Sequence, residues 1–158
     1  MKNRFFCVGL VCLTLAACAS APVPRQIQSS FPVDQPFEKV WQAVIETFAE
    51  LSLPILNMEK VSGLIVTDWI SFRGQKDGTG HCDCGKAGYP FSEQDRSGKF
   101  NVYVKRIGDG ACEVKVNATF EQFNADAFTN SGQTRKRPCV STGKLEKEIY
   151  ELVLSKTK

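Results

Sequence analysis

Seven cysteines and a single histidine carry most of the chemistry open to this 158-residue chain. Cys7 and Cys12 lie in an apolar N-terminal run, Cys18 closes that run, and Cys82, Cys84, Cys112 and Cys139 lie in the body of the chain. His81-Cys82-Asp83-Cys84 falls within a glycine-rich stretch of about 25 residues, Arg73 to Ser97. Imidazole and thiolates in one tetrapeptide invite a metal reading, with Cys112 or Cys139 supplying further donors. Structural zinc sites, however, space paired cysteines by about two to four residues, and thiols outside the cytoplasm tend to oxidise. The pattern therefore points to disulfide chemistry, with no metal and no cofactor. A Cys–His nucleophile would need His81 and Cys82, and adjacent side chains rarely face each other at hydrogen-bond distance. No Gly-x-Ser-x-Gly, phosphate loop or His-Glu-x-x-His occurs. The chain reads as a non-enzyme, with a minor thiol–disulfide role for Cys82 and Cys84 as one alternative.

Cys18 belongs to a different chemistry. Lys2 and Arg4 precede an apolar run of about eleven residues, Phe5 to Leu15, which is too short to span a bilayer and typical of an export signal. Leu15-Ala16-Ala17-Cys18 looks like a lipobox, whose cysteine is acylated and becomes the N-terminus after cleavage. Each buried methylene contributes about 0.8 kcal/mol, so one acyl chain binds reversibly and two or more anchor stably. Residues 1–17 are thus expected to be a lipoprotein signal, 18–29 a lipidated tether, and 30–158 one α+β domain. Ala19, where Asp would retain a lipoprotein at the inner membrane, favours the bacterial outer membrane with the domain facing the periplasm. Losing 17 residues leaves 141, enough for a core. The signal removes two of 20 basic residues and none of 17 acidic ones, leaving a net charge near +1. That balance gives nucleic-acid binding no support.

The elements must bring the remaining four cysteines together. Phe31-Pro32-Val33 reads as a short edge strand. Asp34 is expected to cap a helix in which Phe37, Val40, Trp41, Val44, Ile45, Phe48 and Leu51 form one apolar stripe, ended with help from Pro54. Ile55 to Lys60 and Leu64 to Phe72 flank a Val61-Ser62-Gly63 turn. The second of these puts Leu64, Val66, Ile70 and Phe72 on one face, but Asp68 falls among them, which implies a bulge or a register displaced by one residue. Lys99 to Ile107 and Ala111 to Phe123 form a clearer hairpin about Gly108-Asp109-Gly110, with Phe100, Val102, Val104, Cys112, Val114, Val116, Ala118 and Phe120 inward. After a polar loop, Asn124 to Pro138, a last helix carries Leu145, Ile149, Leu152 and Val153 on its apolar side and Glu146 on the other. The fold class is α+β, an antiparallel sheet of four to five strands with an N-terminal and a C-terminal helix in the order β-α-β-β-β-β-α.

This order places the insert and Cys139 at one end of the sheet and Cys112 at the other. A bridge from Cys84 or Cys82 to Cys139 follows, with Cys112 a small buried hydrophobe. A pairing that uses all four cysteines is the competing arrangement.

The stretches FPVDQPFEKVWQAVIETFAEL and ILNMEKVSGLIVTDW, behind a lipobox, resemble the helix-grip domains of BamC-like lipoproteins of the outer-membrane barrel assembly machinery. The resemblance covers about residues 30–72 and rests on fold-forming positions. It implies a protein-binding role during envelope assembly, without a catalytic residue to carry over. BamC has two such domains and a long N-terminal segment, whereas this chain has one and a short tether. The expected partners are a membrane, through the N-terminal lipid, and a protein of the cell envelope. Arg135, Lys136, Arg137, Tyr89 and Phe91, on the insert and the polar loop, are the candidate contact residues. A small-ligand carrier, with an apolar cavity between sheet and helix, is the other alternative.

Overall fold

The computed structural model describes residues 20–72, 80–86, 91–126 and 134–158, without the side chains of 91–94, 124–126 and 134–135. The elements run β1 (Ser30–Val33), α1 (Phe37–Glu50), β2 (Ile55–Glu59), β3 (Leu64–Thr67), β4 (Ile70–Ser71), β5 (Cys82–Asp83), β6 (Phe91–Gly108), β7 (Ala111–Asp126), β8 (Thr134–Ser141) and α2 (Lys144–Lys156). The fold is α+β, and its antiparallel sheet has eight strands, not four or five. The main path across it is β2-β3-β6-β7-β8-β5. β1 and β8 share one edge of β7, while β3 and β4 share the outer edge of β6.

The additional strands come from segments expected to be loops. β6 begins at Phe91, inside the insert, and β5 is a two-residue strand within it. The polar loop at Asn124 is instead the far end of a long hairpin, since β7 runs to Asp126 and β8 begins at Thr134. Pro138 is accommodated in β8 opposite Glu121, at a position beyond the reach of β5, so its missing N–H interrupts no ladder.

Alternation builds the interior. Phe100, Val102 and Val104 on β6 and Cys112, Val114 and Val116 on β7 are buried against Val40, Trp41, Val44 and Phe48 of α1 and Ile149 and Val153 of α2. Each fully buried Val or Phe of this kind contributes roughly 1.5–3 kcal/mol over its exposed state. Both helices lie on this one face and pack on each other, tied at one end by an ion pair between Lys156 and Glu50.

Three local expectations also change. Pro36, not Asp34, occupies the N-cap of α1, and its carbonyl accepts from the Lys39 and Val40 N–H groups. Asp68 breaks the second hairpin strand into β3 and β4: Ile65 and Thr67 are buried before the break, and Ile70 and Phe72 are half-buried after it. Thr67 assists by accepting the Phe100 N–H on its hydroxyl at 2.9 Å, where the ladder would otherwise lose a partner. Glu146, expected outside, is fully buried, and the Ser141 hydroxyl lies 2.7 Å from its carboxylate.

Candidate functional site

The insert returns to the sheet through β5, where Cys82 pairs in register with Ser141 and Asp83 with Val140 of β8. Cys84 follows immediately and is bonded to Cys139, 55 residues on. The expected bridge is thus present, and Cys84 is its insert half. Cys82 remains a thiol, with its Sγ 3.8 Å from that of Cys84. Phe120, Phe72, Ala118 and Leu145 enclose this sulfur cluster in a small second core. Burial pushes the Cys82 thiol up, partly offset by Arg96 and reinforced by Asp83. His81 is used structurally, its Nε2 lying 2.7 Å from Glu148 of α2, so it ties the insert to the last helix. Cys112 is buried in the main core at the opposite end, and its thiol too is pushed up by burial.

The segment expected to be the tether is docked, from Ser20 on, beside the sulfur cluster. Ser20 forms an isolated bridge with Lys86. The Gly85 and Val23 N–H groups donate to the Asp83 carboxylate at 2.9 and 3.2 Å, and Arg25 lies 3.8 Å from it. Those two N–H groups, ahead of Arg25, hold the Asp83 carboxyl below the usual carboxylate range. Gly85 has φ +66°, and a Cβ there would stand 2.1 Å from the Ser20 carbonyl oxygen, so only glycine lets the chain pass this close. Further along, the Ser29 carbonyl accepts from Val116 of β7. Cys18 and the rest of the expected signal lie outside the described residues.

Of the candidate contact residues, Lys136 and Arg137 are described with their side chains. Tyr89 lies outside the described residues, and Phe91 and Arg135 are placed only as backbone positions on β6 and β8. Lys136 pairs with Glu121 at 3.2 Å and stands 5.1 Å from the Phe123 ring centroid. Arg137 turns to the tether, 3.4 Å from the Ser20 carbonyl.

No protein-family model and no curated protein matches the chain.

The residues that composition and motifs did not single out lie on β2. It lies at one end of the sheet, pairs among the described residues with β3 alone, and has all five of its residues exposed. Ile55, Leu56 and Met58 are 42%, 67% and 49% exposed, with Leu51 and Val61 exposed nearby. Met58 pairs with buried Ile65 of β3, yet is itself exposed. The sequence around ILNME carries no sign of this exposure, because Pro54 and Lys60, the residue types by which edge strands are usually protected, bound it on either side. Between sheet and helices the interior is filled, since Val40, Val44, Val102, Val114, Val116 and Val153 have no exposed surface. An open groove of about 640 Å³ lies outside it, between Gln26, Ile27 and Phe31 on one side and Lys147 and Tyr150 on the other. Among the described residues no helix is long and apolar enough to cross a membrane.

Proposed function

We propose that this chain is a non-catalytic lipoprotein, anchored through acylated Cys18 to the periplasmic face of the bacterial outer membrane, that binds an extended segment of another envelope protein along β2. The observation that carries the reading is the open β2 edge with its exposed Ile55, Leu56 and Met58. An unpaired strand edge offers backbone donors and acceptors to an incoming strand, and flanking apolar side chains add specificity. A segment with alternating apolar residues, such as an unassembled strand of an outer-membrane barrel, has the matching chemistry. The protein would then act as an accessory in envelope assembly, in line with its resemblance to BamC-like lipoproteins.

The docked tether gives this reading its geometry. The lipid would attach two residues before Ser20, at the β5–β8 side, while β2 lies at the other side of the sheet, five strand spacings or roughly 24 Å away. The binding edge would thus stand clear of the bilayer.

Photo-crosslinking residues placed at Leu56 and Met58 in the membrane-bound protein test the proposal. Protein adducts should form from both positions and not from Lys39 on the exposed side of α1, and Leu56→Glu should remove the adduct formed at Met58. Absence of adducts at β2 in a protein shown by mass spectrometry to carry lipid on Cys18 would overturn the binding role while leaving the anchor intact. An unmodified Cys18 would overturn the anchor.

A further inference from the structure

The sulfur atoms of Cys82, Cys84 and Cys139 all lie within 4.8 Å of one another. Cys84 and Cys139 are bonded, and the free Cys82 sulfur lies 3.8 Å from Cys84, close to van der Waals contact. A static staple needs two cysteines; this cluster has a third, buried against the first. We propose that Cys82 is an internal nucleophile that exchanges with the Cys84–Cys139 disulfide, so that the protein interconverts between a Cys84–Cys139 form and a Cys82–Cys84 form.

The step is balanced without any outside oxidant or reductant. The Cys82 thiolate gives its electron pair to Cys84 Sγ, the bond from Cys84 to Cys139 breaks, and Cys139 leaves as a thiolate that takes up the proton Cys82 released. One sulfur–sulfur bond forms and one is lost, as in any thiol–disulfide exchange. Cys84 is the sulfur attacked because it is the nearer one, and since all three sulfurs lie within 4.8 Å of one another, its side chain must turn to bring them into line. β5 ends at Asp83, so Cys84 has already left the ladder and its backbone is free to close toward Cys82. The Cys84–Cys139 bond is the form the structure holds, and because burial disfavours the Cys82 thiolate, the exchange is slow.

Exchange has a structural consequence. It unties β8 from the insert and leaves a thiol on Cys139, which is half-buried, in contrast to the buried Cys82 and Cys84. The same exchange loosens the ground beneath the tether, because Ser20 rests on Gly85 and Lys86, directly after Cys84. The fold thus holds a half-buried thiol in reserve, released from inside. A protein disulfide in the same compartment is the chemical class that this thiol could join. This inference stands on the sulfur geometry and does not depend on the β2 reading.

The test is a disulfide map of the full mature chain, incubated natively without reductant, quenched in acid, alkylated and digested with trypsin. The expected result is a minor population with an internal Cys82–Cys84 bridge in the fragment spanning residues 77–86 and an equal population of alkylated Cys139. Incubation with N-ethylmaleimide before the quench should drain molecules into the Cys139-modified form over time. Cys82→Ala should abolish that modification, and Cys112→Ala should leave it unchanged. If Cys84–Cys139 is the only linkage after prolonged incubation and Cys139 never takes the reagent, the proposal is overturned. Equal modification of Cys139 in the Cys82→Ala variant overturns it too. Should that variant fail to fold, the map of the unsubstituted protein decides alone.

Discussion

Gln122 continues the inward alternation of β7 past Phe120 and is fully buried, yet neither its amide oxygen nor its nitrogen has a partner among the described residues. Glu146 shows the contrast: it is equally buried, but the Ser141 hydroxyl meets its carboxylate, and that hydroxyl in turn accepts the Gly143 N–H. An unpartnered buried amide costs about 1–3 kcal/mol, because its hydration is lost and nothing replaces it. Gln122→Met keeps a long, flexible side chain and removes both polar atoms. It should raise stability by about 1 kcal/mol, read as a higher urea midpoint at unchanged slope. A lower midpoint would mean that the amide is satisfied after all. The position of Gln122 was legible from period two alone. Its lack of a partner was not, since that depends on what β8 and the insert bring across from it.

The turn between β2 and β3 shows how one residue fixes the pairing of three strands. Gly63 has φ +76°, and a Cβ there would stand 2.1 Å from the Val104 carbonyl oxygen; the Val104 N–H donates to the Gly63 carbonyl at 2.8 Å. The turn is thus pressed onto β6, the strand against which β3 must register. Gly63→Ala should cost more than about 1 kcal/mol, since both the dihedral and the contact are incompatible with a side chain. Gly108→Ala, with nothing within 4 Å, should stay within about 0.5 kcal/mol. Thermal or urea unfolding of the two variants side by side is the measurement. The same turn shows what sequence could carry. Both helices, the β6–β7 hairpin from Lys99 to Phe123 and the VSG turn were readable because their apolar periods run long enough to be distinctive. β4 and β5 have two residues each, so they have no period to read. The Asp68 break was visible as an anomaly, but which side of it kept the inward phase depended on β6. A bridge to Cys139 from Cys84 or Cys82 followed from connectivity, because strand order puts these cysteines at one end; the choice of Cys84 did not, since it depends on how β5 seats against β8. The exposure of β2 did not follow, since an apolar strand reads alike whether or not a helix covers it.

The docked segment sets how the whole protein would stand on a membrane. If residues 20–29 were loose, the lipid would constrain only distance, and the domain could present any face to the bilayer. With Ser20 held against Lys86 and Val23 and Arg25 held at Asp83, the lipid would fix an orientation as well, with the sulfur cluster toward the membrane and β2 away from it. Asp83 is the electrostatic centre of that docking. Its carboxyl is held below the ordinary value of about 3.9 by the N–H groups it accepts, so docking favours the charged form. The contribution is therefore complete above the ordinary carboxylate range and is lost as pH falls through the lowered value. At neutral pH the docked segment should resist cleavage after Arg25. Asp83→Asn removes the charge that faces Arg25 and weakens acceptance from Val23, while leaving the main core untouched. Trypsin should then cut after Arg25 faster in Asp83→Asn than in the unsubstituted protein, at an unchanged unfolding midpoint for the rest of the chain. If both proteins are cut at the same rate, Asp83 does not hold the segment down, and the lipid would set the domain's distance from the membrane but not its orientation.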